Sequence, residues 1–144
     1  MATFTDLASA IFRGISHSQQ GKPKPDAGVP VVKIRDIHGA SIAPVSDLGR
    51  VVATGRAAQR TLAEGDIVVA ALGRSRKHAV VGAAHAGCLP DAHLLVVRPL
   101  DASAREQLLA FLNSDAGSES IANAMTGAVI PHLSGSTLAT VEVS

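Results

Sequence analysis

Leu94-Leu95-Val96-Val97-Arg98-Pro99, then Ser103-Ala104-Arg105-Glu106 ahead of Leu108-Leu109-Ala110-Phe111-Leu112-Asn113-Ser114, then Ile130-Pro131-His132-Leu133-Ser134 and Val141-Glu142-Val143: this ordered series between His93 and Val143 decides the fold. The unbroken apolar run 94–97, stopped by Pro99, predicts a buried strand. Ser103 with Glu106 three residues later has capping-box spacing and predicts a helix over about 103–114. Its residues Leu108, Leu109, Phe111 and Leu112 fall mostly on one side. A shorter helix over about 118–126 carries Ile121, Ala122, Ala124 and Met125, with Gly127 placed as its C-terminal cap. A last strand ends the series at Val143.

Working toward the N-terminus, Ile67-Val68-Val69-Ala70-Ala71 and Ala79-Val80-Val81-Gly82 are two apolar runs around the polar stretch Arg74-Ser75-Arg76-Lys77-His78. Such a pair reads as a β-hairpin over 67–82 with a basic tip. Val29 to Ile34 predicts a strand and Asp36-Ile37-His38-Gly39 a turn. Residues 41–60 read as a partly stranded surface segment containing Arg50, Arg56 and Arg60. Residues 16–28 form a loop by composition, in which Lys22 and Lys24 alternate with Pro23 and Pro25 and so forbid helix. Thr5 is placed to cap a short helix over 6–11, with Asp6 at its positive end. Strands dominate the middle and helices cluster late, which is an α+β pattern. The expected architecture is a curved, mostly antiparallel sheet or partial barrel with the two late helices packed at one side.

The 144 residues suit one domain with a single core. A 47% hydrophobic and 17% charged composition is that of a globular chain, not a disordered one. Three Phe with neither Trp nor Tyr leave no aromatic platform for stacking single-stranded bases. The net charge of +1 excludes histone-like wrapping of DNA but allows a local basic face. Cys88 is the single cysteine, so no internal disulfide forms and a thiolate-rich metal site is ruled out. No apolar run approaches the about 20 residues of a membrane helix, and Met1 to Gly14 carries no basic leader. A cytoplasmic protein without membrane association is the expectation.

The motifs also resemble, in order and over nearly the whole chain, the target-recognition domain of type I restriction-modification specificity subunits. Pro30-Val31-Val32-Lys33-Ile34-Arg35-Asp36-Ile37 is similar to that family's early strand with its isoleucine-x-aspartate-isoleucine ending. Leu62, Glu64-Gly65-Asp66 and Ile67-Val68-Val69-Ala70, after Arg60, resemble its step into the hairpin, which Ala79-Val80-Val81 continues. Pro131-His132-Leu133-Ser134 with Leu138 resembles its late turn. The resemblance implies a DNA-methylase specificity-domain fold and a DNA-reading role without catalysis. Complete specificity subunits carry two such domains alternating with long helices. Here one domain is seen, and the sequence stops at Ser144 where such a helix would begin, so a monomer or weak dimer is expected.

Candidate contacts with double-stranded DNA are Arg74, Ser75, Arg76, Lys77 and His78 at the hairpin tip. Arginine suits bidentate contact with guanine or phosphate, and lysine supplies a point charge. A charged hairpin tip is also an ordinary solvated turn. Lys33, Arg35, Arg56 and Arg60, with Lys22, Lys24 and Arg50, extend a positive track only if the fold brings them to one face. His132 is either a structural part of the late turn or a polar DNA contact. Six histidines without a His-x-x-x-His pair, beside one cysteine, give no metal site. Walker and dinucleotide motifs are missing, so no cofactor is expected. Cys88 with His85 or His93 is the one nucleophile–base pairing available, and a lone Cys among apolar residues is usually an inert buried thiol. The favoured reading is a domain that directs separate DNA methyltransferase and restriction subunits. The alternative is a protein-interaction or decoy module that keeps the fold without binding DNA.

Overall fold

The computed structural model describes residues 1–23 and 27–144, so Lys24 and Pro25 of the proline-rich loop lie outside the described residues. Four strands form the central sheet: β2 (Ala8–Arg13), β7 (Ile67–Ala70), β8 (His78–Val80) and β10 (Leu94–Pro99), in the order β2-β10-β7-β8 and antiparallel throughout. Side chains alternate across a strand, and here both faces are covered. Ile67, Val69, Leu95 and Val97 point into one core with Phe4, Leu108, Phe111, Leu112, Ile121, Leu133 and Leu138. Val68, Leu94 and Val96 point into a second core with Val32, Ile37, Leu48, Leu62, Ala79, Val81 and Cys88. Two-sided burial is why 67–71 and 94–97 are continuous apolar runs and not alternating ones.

The first core is roofed by the α-helices α1 (Phe4–Leu7), α3 (Ala102–Asn113), α4 (Asp115–Ala124) and α5 (Gly135–Ala139). Phe4 and Phe111 meet edge to face with ring centroids 6.0 Å apart, tying the N-terminal turn to the late helices. Two short terminal strands, β1 (Ala2–Thr3) and β11 (Glu142–Val143), pair antiparallel and close the same side. The second core is roofed by β3 (Val29–Val32), β6 (Gly49–Val51) and β9 (Leu89–Pro90), where β3 runs parallel to β9 and antiparallel to β6. A small hairpin of β4 (Ile37–His38) and β5 (Ser41–Ile42) and the single turn α2 (Gly55–Ala58) complete that layer. The fold is thus α+β, and among the described strands the pairing is antiparallel except at β3–β9, which the parallel bridge of Ile15 with Asp91 adjoins. The described strands make separate sheets and not a closed barrel.

Several boundaries differ from those expected. Residues 8–13 are strand, because the capping box is Thr3 with Asp6: the Asp6 carboxylate accepts from Thr3 N at 2.9 Å, one turn forms, and the chain then pairs with β10. Those backbone and hydroxyl hydrogen bonds from Thr3 hold the Asp6 carboxyl below its usual range. Asp101, not Ser103, caps α3 by accepting from Ala104 N at 2.8 Å. Ser114 caps α4, accepting from Gly117 N at 2.9 Å, so that helix starts at Asp115 and ends at Ala124, before the expected 118–126 span is complete. Gly117 is required at that corner, since a Cβ there would overlap the Phe111 carbonyl oxygen. The strand expected over 29–34 ends at Val32 and passes into a 3-10 turn at Ile34–Asp36. Ser134 opens α5, a helix the sequence pattern did not indicate.

The two aspartates of the family-like motifs do the same local job. Asp36 accepts from Lys33 N and Asp66 from Ala63 N, each at 2.8 Å and three residues back, and both are buried. A buried carboxylate needs such donors, and Asp66 takes two more from Arg98.

Candidate nucleic-acid interface

The hairpin expected over 67–82 is present, with Ile67 opposite Val80, Val68 opposite Ala79 and Val69 opposite His78. Residues 71–77 therefore form the tip, and His78 begins β8 instead of lying in the loop. Gly73 has φ +81°, which glycine adopts without penalty, while Arg76 sits at φ +49°, a left-handed conformation uncommon for a side-chain-bearing residue. The tip is anchored on both sides. Ala71 N donates to His93 O, Leu133 N donates to Ala71 O, and Gly73 N donates to Pro131 O, each at 2.8 Å. Leu72 thereby bridges His132, and the late turn becomes a short third partner of the hairpin. His132 also contacts Thr126 Oγ1 through Nε2 at 3.0 Å.

Within this protrusion the side chains have different commitments. Arg74 donates to Val129 O at 3.3 Å and Ala128 O at 3.4 Å and so holds the loop before Pro131. His78 Nε2 lies 2.9 Å from Asn113 Oδ1 at the end of α3. Ser75 and Arg76 are exposed, Lys77 is half-buried, and neither Arg76 nor Lys77 enters an ion pair among the described residues. Two unneutralised cations on a rigid base can meet phosphate without first breaking an internal bond.

Strand order extends this end of the molecule. In antiparallel β2-β10-β7-β8, the end of β2, the start of β10, the end of β7 and the start of β8 share one edge, which gathers Arg13, His93, the tip and His78. Arg13 is exposed and donates from Nε to Ala92 O at 2.8 Å. Lys33 follows Val32, whose carbonyl accepts from Asp91 N at 2.9 Å, so β3 delivers it beside the same turn. Exposed Arg35 comes next, within the 3-10 turn. Arg56 lines a cleft of about 490 Å³ with Ser18, Gln19, Gln20 and Gly21. Arg60 is not brought to this group. It precedes Thr61, whose carbonyl accepts from Arg98 at the opposite end of β7. The guanidinium of Arg50 is spent on Ala27 O and Gly28 O.

The sequence did not indicate Arg13, nor the contact of His17 and His93 with Asp91. For Arg13 and His17 no local signal could have done so, because they meet the β9–β10 turn only through the fold; His93, two residues from Asp91, is the one local partner. The thiol pairing has no geometric support. Cys88 is buried, and burial pushes its thiol pKa up, partly offset by the charge of Arg50. The His85 ring is directed to Ala43 O at 2.7 Å and the His93 ring to Asp91. Among the described residues, no group of three or more His, Cys, Asp or Glu converges to hold a metal ion. No described helix is long and apolar enough to cross a membrane.

No protein-family model and no curated protein matches the sequence. Solved structures do match in fold. A chain from a study of complex assembly and conformational transition of the type I restriction-modification system superposes with a TM-score of 0.68 at 17% identity, over 97% of this chain and 32% of that one. The type I restriction-modification S subunit from M. genitalium superposes with a TM-score of 0.56 at 13% identity, over 99% of this chain and 33% of that one. The chain spans about a third of the length of these solved chains. At such identities the similarity is one of fold: this chain has a fold found within the type I restriction-modification S subunit and within a second type I restriction-modification chain.

Proposed function

We propose that this chain is a non-enzymatic, sequence-reading domain that binds double-stranded DNA through the hairpin tip and directs separate methyltransferase and restriction subunits to it. The observation that carries the reading is a protruding, doubly anchored tip on which Arg76 and Lys77 enter no ion pair among the described residues, beside Arg74 and His132. Such a protrusion can enter a groove that flat strands cannot, and Arg there offers a bidentate fork to guanine. Arg13, Lys33 and Arg35 supply phosphate contacts around it, whereas Arg60 is too far round the molecule to share them. Methylation and cleavage belong to partner subunits, and alone the domain is a monomer or weak dimer, which light scattering checks.

The test is titration of a random-sequence duplex at low salt with the wild type and with the Arg74→Ala, Arg76→Ala, Lys77→Ala triple variant, each monitored by circular dichroism. The wild type binds weakly and steeply with salt. Loss of Arg76 and Lys77 lowers the slope of log K against log salt by about 1.8, and by up to about 2.7 if Arg74 leaves its carbonyl partners for a phosphate. Equal binding by both proteins makes the tip a solvated turn. The same protrusion carries Val129 at 83% and Ile130 at 59% exposure, and the net charge is only +1. These observations favour the second reading, a protein-interaction or decoy module. Absence of DNA binding together with capture of a purified methyltransferase subunit selects it.

A further inference from the structure

Asp91 is the buried carboxylate at the tip end of the central sheet, with its side chain only 3% exposed. It accepts from Gln20 Nε2 at 2.8 Å and, at 3.4 Å, from His93 N. Its ionic partners among the described residues are two imidazoles: His17 Nε2 at 3.5 Å from one oxygen and His93 Nδ1 at 3.6 Å from the other. The rings stand 5.8 Å apart and their side chains are 70% and 41% exposed. Each ring thus turns one nitrogen toward the carboxylate and leaves its body open to solvent. The turn that carries Asp91 is fixed tightly. Ile15 N donates to Pro90 O, Gly14 N to Leu94 O, and a Cβ on Gly14 would overlap the Asp91 carbonyl oxygen. The charged groups around the cluster are Arg13 from β2, Lys33 from the end of β3, and the tip cations, reached through the Ala71 N to His93 O bond.

We propose that His17 and His93, seated on Asp91, form a second phosphate-contact site beside the hairpin tip, one that engages the duplex only when its rings are protonated. The inference rests on the DNA-binding reading above. Imidazole is the side chain whose charge changes between about pH 5 and 8. A neutral ring offers a phosphate one N–H at most, and that hydrogen can be directed to Asp91. A protonated ring offers two, so one faces the carboxylate while the other reaches outward. Asp91 orients both rings and gives the two imidazoliums one shared counter-charge on their inner side, and the phosphate supplies the balance on the outer side. Protons are therefore taken up on binding, and affinity falls as pH rises through the histidine range. Asp91 is a positioning residue here, and the rings make the contact.

The experiment measures affinity for one random-sequence duplex between about pH 5.5 and 8 at fixed low salt, for the wild type, the His17→Gln, His93→Gln double variant and the triple tip variant. The wild type is expected to bind about tenfold tighter at the acidic end, with a salt slope steeper there by up to about 1.8, the increment for two phosphates. The double variant keeps its circular dichroism spectrum, retains His78 and His132, and loses most of that acidic gain. An undiminished acidic gain in the double variant overturns the proposal. Tip-dependent binding without any acidic gain in the wild type overturns the proposal and leaves the DNA reading standing. No wild-type binding at any pH overturns both.

Discussion

Replacing Arg98 by Met tests how much of this fold hangs on one ion pair. Asp66 is 1% exposed and stands at the entrance to β7, where it takes Arg98 Nε at 2.8 Å and Nη2 at 2.9 Å in a bidentate clasp. That hydrogen bond raises the Arg98 pKa still further, so the guanidinium is charged at every working pH. Arg98 also donates to Thr61 O at 3.3 Å and lies 5.5 Å over the Phe12 ring. Removing one partner of a buried pair leaves an uncompensated charge, at a cost of about 3–5 kcal/mol. Two features lower that figure. Asp66 retains its bond from Ala63 N, and Arg98 is 37% exposed, so water can enter the vacated space. The working value is about 2–3 kcal/mol, or a Tm lower by about 6–10 °C for a chain of this size. Urea unfolding followed by circular dichroism measures it, within a double-mutant cycle that includes Asp66→Asn and the double variant. The expected coupling is about 1 kcal/mol or more. DNA affinity stays unchanged, because β7 separates this pair from the tip by four strand residues, about 13 Å. A loss below about 0.5 kcal/mol, or simple additivity of the two substitutions, refutes the reasoning.

Phe111→Ala empties a site that is 3% exposed and removes the edge-to-face partner of Phe4, so stability should fall by about 3–5 kcal/mol in urea titration. A loss under about 1 kcal/mol counts against the roofing role of α3. The Cys88 thiol, buried and with a raised pKa, should react with a disulfide reagent at about pH 8 only as fast as the protein opens. Stoichiometric reaction of the native protein within mixing time contradicts its burial and revives the nucleophile reading.

The sequence by itself determined the elements whose signal is local. The apolar runs at 67–70 and 94–97 are strands because burial on both faces leaves no room for polar alternation, and that pattern needs no knowledge of partners. The basic hairpin tip and the pair of late helices were legible for the same reason, and the ordered turn motifs were enough to suggest the fold. Caps were read less well. Asp101 and not neighbouring Ser103 caps α3, and α4 begins at Asp115 behind Ser114 instead of near residue 118. Residues 8–13 show the limit most plainly, since a sequence able to continue a helix becomes a strand once the edge of β10 offers hydrogen bonds along its length. Which cations share a face was likewise decided only by the sheet order, which groups Arg13 and the tip and sends Arg60 to the far end. The cluster of His17, Gln20, Asp91 and His93 joins residues more than 70 positions apart in the chain. Sequence periodicity carries contacts three or four residues apart, whereas contacts across a sheet exist only after the strands have paired.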